Sequence, residues 1–192
     1  MKRSFAVIAL GVSALFGSGR TWDDEWRITP ANDSGMVRFS IDRVKPGSQW
    51  SMSSDRPVAD FRGLSMQTVD SSGKAKFEYV RDAGRLVCEG YFKSGIGIGA
   101  FEFIPDSDYV RRLQKLGYDA PDDNQLFAMA MSDVSLDFAR GVKEANVPAT
   151  VKQLIDMRLH GVSLPYLHKL KTSGLRGLTA DNIVRLRIHG VD

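Results

Sequence analysis

The C-terminal half of this chain uses one pattern three times. Residues 106–134, 135–162 and 163–191 form units of 29, 28 and 29 residues. A period of this size predicts a stacked array of helical hairpins, since one unit alone cannot bury its apolar face. Each unit opens on a helix N-cap residue: Asp106, Ser135 or Ser163. An aromatic follows three residues later, at Tyr109, Phe138 and Tyr166. The first helix of each unit stops at Gly117, Asn146 or Gly174, types that tolerate the left-handed C′ conformation. The apolar residues just beyond, Tyr118, Val147 and Leu175, are placed to pack back on Leu113, Val142 and Leu170.

The second helix of each unit starts at Asp122, Thr150 or Thr179. Gln125, Gln153 and Asn182 follow three residues on, and the first two complete a capping box. Its stops are Asp133, Gly161 and Gly190. Asp133 is the poorest of the six, because a Cβ penalises that conformation. Asp192 falls where a fourth unit would place its N-cap.

Residues 36–105 have a different period. Val37, Phe39 and Ile41 alternate with polar residues, the mark of a half-buried strand. Further strands are expected over 48–52, 57–61, 75–81, 85–92 and 99–104. Lys45-Pro-Gly, Ser71-Ser-Gly, Asp82-Ala-Gly and Lys93-Ser-Gly separate them. Arg62-Gly-Leu is expected to form a short helical turn. The polar lead over 20–35 reads as a linker or edge segment. The expected fold is therefore α+β: an antiparallel meander or small sandwich over 36–105, then a helical-hairpin array over 106–192.

Residues 1–19 join Lys2 and Arg3 to an apolar run of 12 residues, Phe5–Phe16, and to the small residues Gly17-Ser-Gly19. This is a secretory signal pattern, and the run is too short to span a bilayer. The expected address is periplasmic or extracellular, with no integral membrane segment in the mature chain. Losing Lys2 and Arg3 would lower the net charge from +3 to +1. Residues 106–150 carry 5 basic and 8 acidic side chains, and residues 151–192 carry 7 and 3. The array thus runs from acidic to basic. The basic candidates at its end are Lys169, Lys171, Arg176, Arg185 and Arg187, with Asp181 and Arg185 spaced i,i+4 on one helix.

No catalytic motif accompanies these features. There is no His-Glu-x-x-His, no nucleophile elbow and no phosphate loop. Gly95-Ile-Gly-Ile-Gly99 lacks the Lys-Ser/Thr that a phosphate loop needs, and fits a hairpin turn or bulge. His160 and His189 fall at equivalent helix C-termini, where the dipole favours them without a ligand. No catalytic residue, metal or cofactor is assigned. Cys88, the only cysteine, leaves an exported chain without an internal disulfide and reads as a small buried hydrophobe.

The segments GYFKSGIGIGAFEFIPDSDYVRRLQKLGY and DNQLFAMAMSDVSLDF, with the recurring RLHGVS and RLRIHGVD, resemble known repeats. These belong to the extracytoplasmic part of bacterial antirepressor-type membrane zinc metallopeptidases, the beta-lactam-sensor-like family. The resemblance extends back through FRGLS and AKFEYVRDAGRLVCEG. The peptidase motif and the membrane helices of that family are absent, so no protease activity or zinc residue carries over. What the resemblance implies is a free-standing accessory module for sensing or protein contact. The functional expectation is an exported, non-catalytic module that binds a protein or cell-envelope component, with no nucleic-acid partner. Two alternatives stand beside it: an envelope enzyme acting on peptidoglycan or peptide, and a nucleic-acid-binding repeat protein.

Overall fold

The computed structural model describes residues 24–175 and 177–191. The expected signal segment at 1–19, Arg176 and Asp192 lie outside these residues. The described chain is α+β, with a curled antiparallel sheet of seven strands followed mainly by helices. The strands are β1 (Asp24–Pro30), β2 (Met36–Lys45), β3 (Ser48–Pro57), β4 (Phe61–Arg62), β5 (Gly73–Arg81), β6 (Gly84–Lys93) and β7 (Ile96–Pro105). Their order across the sheet is β3-β2-β1-β7-β6-β5-β4. Two meanders are thus joined through one long-range pair, β1 with β7, in which Trp26 faces Gly99.

Curl follows from the ring contacts. Strands four steps apart in a flat sheet would be roughly 19 Å apart. Yet the rings of Phe39 on β2 and Tyr79 on β5 have centroids 5.6 Å apart, and Phe39 meets Phe61 of β4 at 5.0 Å. Trp26 meets Phe77 edge-on at 4.9 Å. The inward face therefore packs against itself. A two-sheet sandwich is not what forms, because a single curled sheet supplies both walls of its core.

The polar lead does not end as a linker. Its middle, Asp24–Pro30, is β1, a central strand between β2 and β7, with Trp26 and Ile28 buried. Their spacing is that of a strand, but Asp24, Glu25 and Arg27 around them disguise it. The segment 57–61 is mostly a 3-10 turn, Val58–Asp60, that carries the chain from β3 to β4. No helical turn forms at Arg62-Gly-Leu, because Arg62 ends β4 and Gly63 turns at φ 86°; the short helix is α1 (Met66–Asp70), capped by Ser65 Oγ accepting from Thr68 N.

The Gly-rich stretch supplies the β6–β7 turn and part of β7. Gly90 and Gly99 face each other beneath the Trp26 indole. A Cβ on Gly99 would lie 2.1 Å from Glu89 O and 2.8 Å from Trp26 Nε1. The indole N–H donates to Glu89 O at 3.3 Å. Glycine here makes room for the largest ring of the core.

Six helices follow: α2 (Ser107–Lys115), α3 (Asp123–Met131), α4 (Leu136–Glu144), α5 (Val151–Leu159), α6 (Leu164–Thr172) and α7 (Ala180–Ile188). Each begins with a side-chain cap, from Asp106, Asp122, Ser135, Thr150, Ser163 and Thr179 in turn. Asp122–Gln125 and Thr150–Gln153 form complete capping boxes. Gly117, Asp133, Asn146, Gly161, Gly174 and Gly190 all have positive φ. Schellman bonds close five of these ends, including Val134 N to Met129 O at 2.9 Å and Val191 N to Leu186 O at 3.0 Å. Helix α2 touches α4 and α4 touches α6, while α3 touches α5 and α5 touches α7. One continuous apolar core runs from Trp26 in the sheet to Ile183 in α7.

Candidate functional site

Sheet and helices meet around Phe127. Its ring stacks on Phe101 at 5.9 Å with an interplanar angle of 7°. Phe103 and Trp50 approach it edge-on at 5.3 and 6.1 Å. The guanidinium of Arg43 lies over the same ring, 4.3 Å from its centroid. The inward phase of β2 explains this guest. Val37, Phe39 and Ile41 point into the core, and the same alternation turns Arg43 and Lys45 inward where the sheet meets α3.

Asp24 of β1 pairs in register with Arg43. Its carboxylate is shared: Oδ2 lies 3.1 Å from Lys45 Nζ, and Oδ1 lies 3.9 Å from Arg43 Nε. The second distance is too long for a hydrogen bond. Buried Arg43 Nε, Arg43 Nη1, Trp50 Nε1 and Asp24 Oδ1 have no hydrogen-bond partner among the described residues. Beside them opens a cleft of about 220 Å³, with Arg43, Lys45, Trp50, Asp122, Gln125 and Phe127 in its walls. Among the described residues the one acid lining it is Asp122, and no histidine lines it.

A second polar line ties the sheet to the helices. Arg81 of β5 bonds Asp60 at 2.6 Å and stands 3.5 Å from Asp133. Asp133 is in turn held by Arg158 of α5 at 3.1 Å. The turn residue Asp82 accepts from Leu136 N at 2.9 Å, adding a carboxylate to the start of α4.

The basic candidates serve partly as structure. Lys171 Nζ donates to Glu144 O at 3.1 Å, joining α6 to the end of α4. Arg187 lies over the Tyr166 ring at 5.1 Å. Lys169 and Arg185 are exposed in the last turns of α6 and α7. Asp181 turns to α5, accepting from Gln153 Nε2 at 3.0 Å. Of these residues, Lys171 lines a second cleft of about 380 Å³, shared with Val147, Leu167, Leu175, Leu178 and Ile183.

His160 and His189 occupy C-cap positions, and His160 Nδ1 lies 2.8 Å from Asp156 O. Among the described residues, no three His, Cys, Asp or Glu side chains converge as metal ligands. No helix there is long and apolar enough to cross a membrane. Burial pushes the Cys88 thiol well above its usual range.

The sequence alone marks Lys45 only as the start of a turn and does not mark Arg43, Trp50 or Phe127. The available signal was two cations at 43 and 45, in phase with three buried residues of β2. Comparison with family models, with curated proteins and with solved structures finds no match.

Proposed function

We propose that this chain is an exported, non-catalytic interaction or sensing module. In this reading α2–α7 form a three-unit array, and the last unit is the contact surface. The carrying observation is a change in burial at equivalent positions. Val134 and Val162 are 1% and 0% exposed, whereas Val191 is 43% exposed. Tyr118 and Val147 are 5% and 3% exposed, whereas Leu175 is 46% exposed. The last unit leaves the apolar side chains Leu175, Ile188 and Val191 exposed, and it also exposes Lys169 and Arg185. Apolar groups rimmed by charge mark protein contact surfaces.

Recurring geometry supports the array. Tyr109 Oη donates to Val134 O at 2.7 Å, and Tyr166 Oη to Val191 O at 2.9 Å, each bond closing one unit. Arg158 lies over Phe138 and Arg187 over Tyr166, at 5.2 and 5.1 Å. Export rests on the pattern of residues 1–19. The metallopeptidase-like segments point toward the same accessory role.

Photocrosslinking in cells tests the partner claim. A crosslinker at Leu175 is expected to give a discrete envelope-protein adduct, lost when Lys169 and Arg185 are changed to Glu. An adduct indifferent to those changes, or none above a control at Asp33, overturns it. Sequencing the N-terminus of the envelope-associated protein tests the address. It is expected to find Met1–Gly19 missing, and a full-length soluble cytoplasmic product refutes export.

A further inference from the structure

We propose that the cleft between the β2–β3 hairpin and α3 binds a small monocarboxylate with a flat apolar body. Three donor atoms carry the argument. Arg43 Nε, Arg43 Nη1 and Trp50 Nε1 are buried and lack an acceptor among the described residues, although both side chains line the cleft. Buried N–H groups are nearly always paired, so three orphans on two side chains that line one cleft point to a missing acceptor there. The local carboxylate does not fill that role. Asp24 is drawn to Lys45 at 3.1 Å and leaves Arg43 at 3.9 Å.

Charge sets the class of ligand. Arg43 and Lys45 share one counter-ion, and the Arg43 side chain is only 13% exposed. Asp122 also lines the cleft, but its Oδ1 is bound to Gln125 N at 2.8 Å in the first turn of α3. One negative charge on the ligand gives Arg43 an acceptor, and a second would face Asp122. Guanidinium suits carboxylate because several donors meet two acceptors in one plane.

Shape sets the body. Trp50, Phe127, Ala128 and Ile155 form the apolar wall. A cavity of about 150 Å³ holds a benzene ring. The cleft, at about 220 Å³, has room for a ring carrying a short acidic arm. The site joins the sheet to α3 and α5, and it does not depend on what the last helices contact.

The test is an ¹⁵N-resolved titration of the purified full chain with phenylacetate, against its neutral isostere phenylacetamide. The Trp50 indole N–H resonance, assigned with Trp50→Phe, is the reporter. Phenylacetate is expected to shift it saturably, with phenylacetamide weaker by about tenfold or more. Arg43→Met is expected to bring the acid down to the level of the amide. Lys45→Gln, at a side chain 40% exposed, should weaken the acid by about threefold and serves if Arg43→Met does not fold. Equal affinity for acid and amide, no saturable shift up to about 10 mM, or phenylacetate binding unchanged in a folded variant overturns the proposal.

Discussion

Arg158 holds Asp133 from two directions. Its Nε donates to the Asp133 carbonyl oxygen at 3.0 Å, and its Nη2 to the carboxylate at 3.1 Å. Asp133 has φ 57°, a backbone conformation in which glycine is the easy choice. The carboxylate explains why Asp stands there: it reaches Arg158 on one side and approaches Arg81 on the other.

Asp133→Gly is therefore expected to destabilise the protein by about 1–2 kcal/mol despite relieving the backbone, because it strips a partner from two part-buried guanidinium groups. Asn146→Gly, at the same φ of 57°, is expected to stabilise by about 0.5 kcal/mol. Urea unfolding of both variants checks the contrast. A stabilised Asp133→Gly would mean that the network contributes less than the strain.

Phe127→Ala removes the ring shared by Phe101, Phe103, Trp50 and Arg43. A loss of about 3–5 kcal/mol is expected for a buried Phe. Sheet and helices should also uncouple. Tryptophan fluorescence and far-ultraviolet dichroism, expected to report one transition in the parent protein, should separate in the variant. Coincident transitions in Phe127→Ala would show that the other bridges suffice.

Gly99→Ala puts a Cβ 2.1 Å from Glu89 O and 2.6 Å from Gly90 Cα, both backbone atoms. It is expected to cost about 2 kcal/mol or more. Gly73→Ala has open space within 4 Å and should change stability by less than about 0.5 kcal/mol. Thermal denaturation of the pair measures the difference.

Tyr118 Oη donates to Ala139 O at 2.9 Å, and burial pushes the phenol up to about 12. A raised phenol stabilises the fold fully below its unfolded value near 10, and that contribution is lost as pH rises through 12. Tyr118→Phe should lose about 1 kcal/mol at neutral pH with the hydrogen bond. Its deficit should shrink between pH 10 and 12, since Phe has no proton to release. Melting temperatures across that range decide it, and a constant gap would refute the assignment.

The helix boundaries were legible because they are local. A cap and its target lie three residues apart, as Thr150 and Gln153 do, and a stop needs one residue type. The polar lead was harder. Trp26 declares a strand only through Ile41 on one side and Gly99 on the other, and Gly99 lies 73 residues away. Arg43 was missed for a related reason. A cation at an inward position looks like the end of a strand until the ring of Phe127, from a distant helix, lies under it. The exposed candidates Lys169 and Arg185 could be named from charge alone. Lys171 and Arg187 could not be recognised as ties and ring covers without the neighbouring helices.

The seam between β1 and β7 also orders events in time. As the chain emerges N-terminus first, β1 can zip to β2 at once, but its other edge stays unsatisfied until Gly97–Ala100 arrives. Closing so long a loop is slow and entropically costly compared with forming either hairpin meander. The nucleus of folding should therefore form late, around Trp26 and the two glycines beneath it. Until then β1 offers an unpaired edge for self-association, as the outer strands β3 and β4 do.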